Sequence, residues 1–209
     1  MQHQIPKGTF DILPYGAIES WQLSDLWQFV EGVVREIARD YGYREIRTPI
    51  YELTGLFDRG VGETSDIVTK EMFTFQDKGG RSITLRPEGT SSVMRALIEN
   101  RLPALGPVHK LFYIGPMFRY ERPQSGRYRQ HHQFGIEAIG NPSAEQDAEV
   151  IDLLCEFYRR LGLKNLIVHI NSVGDSESRA NFKAALLDYL RPHFSELSEE
   201  SKTRFEKNP

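Results

Sequence analysis

Two β-patterned runs, residues 111–118 and 132–139, flank a connection loaded with arginine, and this arrangement constrains the fold more than any other part of the sequence. The first run is rich in Phe, Tyr and Ile and the second alternates, the pattern of two strands paired as an antiparallel hairpin. Arg119, Glu121, Arg122, Arg127 and Arg129 make the connection too long and too charged for a tight turn, while Pro123, Ser125 and Gly126 let it bend. Four guanidiniums against one carboxylate leave it positive, and the planar donor fork of arginine matches phosphate oxygens. On the second strand Gln133, Gly135 and Glu137 share one face, because side chains alternate. Gly135 is expected to leave that face open, between two polar groups about 13 Å apart at roughly 3.3 Å per residue. A solvated hairpin tip over a water-facing strand would account for the same residues. A second unusual segment upstream favours a site.

That segment is Arg86-Pro87-Glu88-Gly89-Thr90, set between a β-like run and a helical stretch at 91–100. Thr90 or Ser91 is placed to cap the helix, whose first N–H groups favour an anion. Glu88 reads either as a charge near a helix start or as a fixed anion for a substrate ammonium.

The rest of the chain supplies a scaffold. Apolar residues from Leu23 to Tyr41 recur at three and four, which predicts a long amphipathic helix over 18–41, with Gly42 as its stop. A strand is expected over 43–50, ending in Thr48-Pro49 at a sheet edge that another subunit could cover. Runs 72–76 and 81–86 joined by Asp77-Lys78-Gly79-Gly80 predict a second hairpin. Further helices are expected over 143–161, with Ala148, Ile151, Leu154, Cys155 and Tyr158 on the apolar face, and over 176–190, capped near Asp175 and stopped by Pro192. A short strand is expected between them at 166–170. Helix, antiparallel hairpins, then helices argue for an α+β fold, an antiparallel β-sheet flanked by helices.

With 209 residues, 39% hydrophobic and 26% charged, the chain fits one large domain or one domain with an appendage. A net charge of −3 excludes a generally basic nucleic-acid binder. One cysteine, Cys155, excludes an internal disulfide and a Cys-based zinc site, and reads as core filler. No apolar run of about 18 residues is present to span a membrane, and the histidines lack HExxH-type spacing, so no protein-ligated transition metal is expected. A cytoplasmic protein fits these limits.

These motifs together resemble those of the class II aminoacyl-tRNA synthetases, and specifically the histidyl-tRNA synthetase family. The long helix with Glu45-Ile46-Arg47-Thr48-Pro49 is similar to the family's first motif, which builds a homodimer interface. Residues 119–137, with FRYERPQSGRYRQ, resemble its second motif, and Arg86-Pro87-Glu88-Gly89-Thr90 resembles a segment that binds the amino acid. The resemblance covers essentially residues 1–209, as the N-terminal portion of a catalytic domain. It implies that L-histidine and ATP, brought with Mg²⁺, form histidyl-adenylate, from which the amino acid passes to its tRNA. It implies roles for residues too: Arg119 on the α-phosphate, Glu121 on the adenine amino group and Arg127 on the outer phosphates. Glu88, Thr90 and Gln133 would hold the substrate ammonium, and Glu137 would accept a hydrogen bond from the imidazole. His131 stands where the family has a phenylalanine that stacks on adenine. Tyr128 is expected near the substrate, at the dimer interface or in the core. The third motif, an arginine-bearing histidine-specific segment and the anticodon-binding domain are missing from these residues, so the expectation is a fragment with little activity alone. The alternative is a histidine-sensing, non-catalytic paralogue, the regulatory subunit of a biosynthetic enzyme.

Overall fold

The computed structural model describes residues 4–61, 71–120, 126–172, 174–199, 201–202 and 205. The chain divides into two units, residues 1–164 and 165–209.

The first unit contains the expected α+β arrangement as two small sheets. In one, β5 (His109–Phe118) and β6 (Gln130–Ile139) pair antiparallel over ten residues, and the short β1 (Arg44–Glu45) runs parallel to β5. In the other, β4 (Ser82–Leu85) lies between β2 (Tyr51–Leu53) and β3 (Thr74–Gln76), all antiparallel. The parallel edge strand is a departure from a purely antiparallel sheet. Helices α1 (Ser24–Asp40) and α4 (Ala144–Arg160) cover one face of the β5–β6 pair, with Val34, Ile37, Ala38, Phe112 and Leu153 as its core. Each of these side chains other than Ala38 contributes about 1.5–3 kcal/mol on burial. On the opposite face, Tyr113 and Met117 of β5 pack with Val93 of α3 (Thr90–Glu99). Helix α2 (Thr54–Val61) packs beside α3.

Where the sequence pattern misleads, a nonlocal contact explains the difference. Helix α1 starts at Ser24, not Ile18, because the chain is held extended at Leu23: Leu13 N donates to Gln22 O and Ser24 N to Leu13 O, both at 2.9 Å. A 3-10 turn at Ser20–Gln22 precedes it, and Gly42, at φ +78°, ends the helical course as expected. Of the strand expected over 43–50, only Arg44 and Glu45 join a sheet; farther on, the Thr48 carbonyl is taken by an arginine and Pro49 has no N–H to give. In α4 the buried positions are Gln146 and Leu153, while Leu154 is exposed, one residue out of phase with expectation. Cys155 is half-buried.

The second unit holds α5 (Ser176–Leu190), whose N-cap Asp175 accepts from Ser178 N at 2.8 Å. Pro192 lies in the first turn of a 3-10 segment, Arg191–Glu196, where a simple stop was expected. Residues 166–170 are not a strand. A strand needs a ladder neighbour, and among the described residues none runs beside them; Ile167 and Ile170 are exposed.

Arg86 joins the two sheets. Only 6% exposed, it follows β4, donates through Nε to Pro116 O of β5 at 2.9 Å, and through Nη1 to Thr48 O and Oγ1 at 3.1 and 3.2 Å. Its backbone does the same: Arg86 N donates to Ile50 O and accepts at its carbonyl from Phe118 N, each at 2.9 Å. Replacing Arg86 with Met keeps the bulk but orphans these acceptors, and should destabilise the protein by about 3 kcal/mol, read by denaturant unfolding.

Candidate active site

The segment that follows Arg86 lies against the open face of β6. Pro87 is fully buried, and Gly89 is the N-cap of α3 without a capping side chain of its own. Glu88 does that work instead: its carboxylate accepts from Thr90 N at 2.6 Å and Ser91 N at 2.9 Å. The expectation that Thr90 or Ser91 caps the helix is therefore wrong: the N-cap is Gly89, and Glu88 answers the free N–H groups. Thr90 is the first helical residue, and its hydroxyl is turned away to donate to Glu137 Oε1 of β6 at 2.7 Å. Glu88 is therefore both the cap of the helix and an anion fixed beside Glu137.

Register decides what else meets there. Leu111, Tyr113, Gly115 and Met117 of β5 pair with Glu137, Gly135, Gln133 and His131 of β6, so these residues share the face toward α3. The expectation that Gly135 leaves that face open is wrong. The Tyr113 ring fills the space: a methyl added at Gly135 would overlap its phenol, and so would one added at Gly89. Gly115 is likewise covered, by the Arg86 guanidinium. Both strand glycines make room for a large side chain from a neighbouring element. Tyr113 and Arg86 are the residues that sequence reasoning missed. The signal for Tyr113 was present, since pairing the two runs in register sets it opposite Gly135.

The electrostatics follow from burial. Half-buried Glu137 has its carboxyl held above the ordinary carboxylate range, first by desolvation and further by the nearby Glu88 charge, against the Thr90 hydrogen bond. The Tyr113 phenol is pushed up to about 12 by burial and by Glu137 and Glu88. Gln133 Oε1 is buried and has no hydrogen-bond partner among the described residues. Two carboxylates and an orphaned amide oxygen make a site rich in acceptors and short of donors.

Arg119 follows β5, and its Nε donates to Pro87 O at 2.9 Å, which sets a cation next to the Glu88 segment. Its amide donates to Arg129 O at 2.9 Å, and the Arg129 guanidinium lies over the Tyr120 ring, 4.0 Å from its centroid. Glu88, Thr90, Glu137 and Arg119 are thus gathered by direct bonds. Gln133 and His131 share the β6 face, and Arg127 is exposed on the connection. Glu121 lies outside the described residues. Tyr128 packs against Phe10 and Trp21, its ring centroid 4.8 and 5.6 Å from theirs, and so belongs to an aromatic cluster.

The family model for histidyl-tRNA synthetase matches residues 25–193. The chain belongs to this family. It is 62% identical to the histidine–tRNA ligase of Protochlamydia amoebophila, over 100% of this chain and 49% of that protein. With the ligase of Limosilactobacillus fermentum the identity is 56%, over 100% of this chain and 47% of the relative. A solved structure of apo S. aureus histidyl-tRNA synthetase matches with a TM-score of 0.74 and 42% identity, over 100% of this chain and 47% of that one. Another, described as an ATP phosphoribosyltransferase regulatory subunit/histidyl-tRNA synthetase from Bacillus halodurans C, has a TM-score of 0.70 at 24% identity, covers 98% of this chain and 55% of that one, and shares the fold. The chain spans about half the length of the curated relatives it matches. Among the described residues no cluster of His, Cys, Asp and Glu could hold a metal ion, and no helix is long and apolar enough to cross a membrane.

A carboxyl whose pKa rises on folding favours the folded state when protonated, and that contribution is lost as pH rises through the folded value. Charged Glu137 therefore opposes folding at neutral pH. Glu137→Gln, which still accepts from Thr90, should raise the melting temperature at pH 7. The gain should shrink as the pH falls through the raised Glu137 value, where the wild-type carboxyl is itself protonated; melting curves across pH 4–8 read this.

Proposed function

We propose that this chain carries the histidine- and ATP-binding part of a histidine–tRNA ligase. The observation that carries the reading is the set of acceptors, Glu88, Glu137 and the orphaned Gln133 Oε1, on one floor beside an arginine. An amino acid with an ammonium group and a ring N–H supplies the missing donors. The ammonium goes to Glu88, Thr90 and Gln133, and the imidazole N–H to Glu137. A site built to hydrogen-bond a substrate discriminates well, because the wrong side chain leaves buried groups unpaired.

In the first step the histidine carboxylate attacks the α-phosphorus of ATP in line and pyrophosphate leaves. Two anions must meet, so fixed positive charge lowers the barrier. Arg119 is the residue for this role, with Arg127 on the outer phosphates, Glu121 on the adenine amino group and His131 stacked on the base. Mg²⁺ arrives with the nucleotide and offsets phosphate charge. In the second step the terminal ribose hydroxyl of the histidine tRNA attacks the adenylate carbonyl. The exposed apolar residues Leu26, Phe29 and Val30 of α1 support a homodimer through this helix, and the cytoplasm is where the reaction takes place. Since the relatives are about twice as long, these residues alone are expected to give little ATP–pyrophosphate exchange.

A histidine-sensing regulatory subunit of the same fold would bind histidine but not ATP, and a bare dimerisation module would bind neither. Calorimetry with each ligand separates the three, and binding of both is the expected result. In the complete gene product, Arg119→Gln should lower ATP–pyrophosphate exchange about 10²–10³-fold while histidine binding survives. Equal loss of both would remove Arg119 from the chemistry.

A further inference from the structure

We propose that Tyr113 is a specificity-determining residue of this site: its phenol, wedged between Gly89 and Gly135, floors the side-chain pocket and sets a hydroxyl among Thr90, Glu88 and Glu137. The inference rests on the histidine-ligase reading above and adds the group that shapes the pocket. Tyr113 is 6% exposed, and its ring is closed in from two sides by backbone, the N-cap of α3 on one and β6 on the other. No side chain stands at either place, so main chain closes on the ring there while Val93 and Met117 pack against it, and it has little freedom to tilt.

The ring lies opposite Gly135, and Gln133 and Glu137 stand two residues to either side of that glycine on the same face. An amino acid spanning from the ammonium acceptors to Glu137 must cross the Tyr113 ring. A flat five-membered ring fits over such a floor. At the polar end the phenol keeps its proton throughout the neutral range, so it stands as a neutral group between carboxylates that carry charge. A ring with N–H donors satisfies this end of the pocket. A ring of the same shape without them brings no donor to a carboxylate that accepts from Thr90 and still has lone pairs to spare, and is rejected.

The test compares L-histidine with β-(2-thienyl)alanine, a five-membered ring lacking N–H, by calorimetry on the complete gene product. Tyr113→Phe keeps the wedge and removes the hydroxyl. It should lower the ratio of histidine to thienylalanine affinity about tenfold, with the melting temperature within about 2 °C of wild type. Gly135→Ala tests the wedge: it should weaken histidine binding when Tyr113 is present and add little in a Tyr113→Ala background, where the space is vacant. A ratio within twofold of wild type in Tyr113→Phe, or equal weakening of both ligands, overturns the proposal and leaves Tyr113 as packing. Failure of the wild-type protein to bind histidine at all overturns the histidine-ligase reading instead.

Discussion

A guanidinium taken almost wholly out of water must have its donors answered, or folding would leave a costly charge behind. Arg86 meets this requirement with carbonyl and hydroxyl oxygens from two different places, Pro116 on β5 and Thr48 on the segment after β1. Burial lowers its pKa, but the acceptors keep the charged form in place, and the geometry they demand fixes how the two sheets meet. The site hangs from this joint. Pro87, Glu88, Gly89 and Thr90 continue directly from Arg86, and Arg119 follows the Phe118 amide that bonds the Arg86 carbonyl. Anion and cation reach the same place because both chain segments leave from one residue.

The use of Glu88 as a helix cap has a mechanical meaning. Two backbone N–H groups hold its carboxylate at the N-terminal end of α3, so its rotamer is set before any ligand arrives. Glu137 is the contrasting case, a carboxylate half-buried near another, tied by a single hydroxyl. Of the two, one strengthens the fold and the other strains it.

Most of this was legible from the chain itself, for a local reason. The hairpin, the β3–β4 turn and helices α3 and α5 are written in patterns a few residues long, and alternation alone put Gln133, Gly135 and Glu137 on one face. What escaped depended on distant partners. The strand expected over 43–50 stops because Arg86, just past β4, captures the Thr48 carbonyl. The opening turn of α1 is lost because Leu13 pulls Leu23 into an extended bridge. The apparent gap at Gly135 vanishes once Tyr113 arrives from the adjacent strand. In each case the residue at fault was read correctly and its neighbour was not.

The packing of Tyr113 also bears on how such a chain can change over time. Positions 89, 113 and 135 occupy one volume shared among three stretches of polypeptide. A side chain gained at either glycine collides with the ring, and a smaller residue at 113 leaves a hollow between the two backbones. Mutational routes that enlarge 89 or 135 first are therefore closed, and those that begin by shrinking 113 pass through a loosened pocket. The three sites drift as a block or not at all.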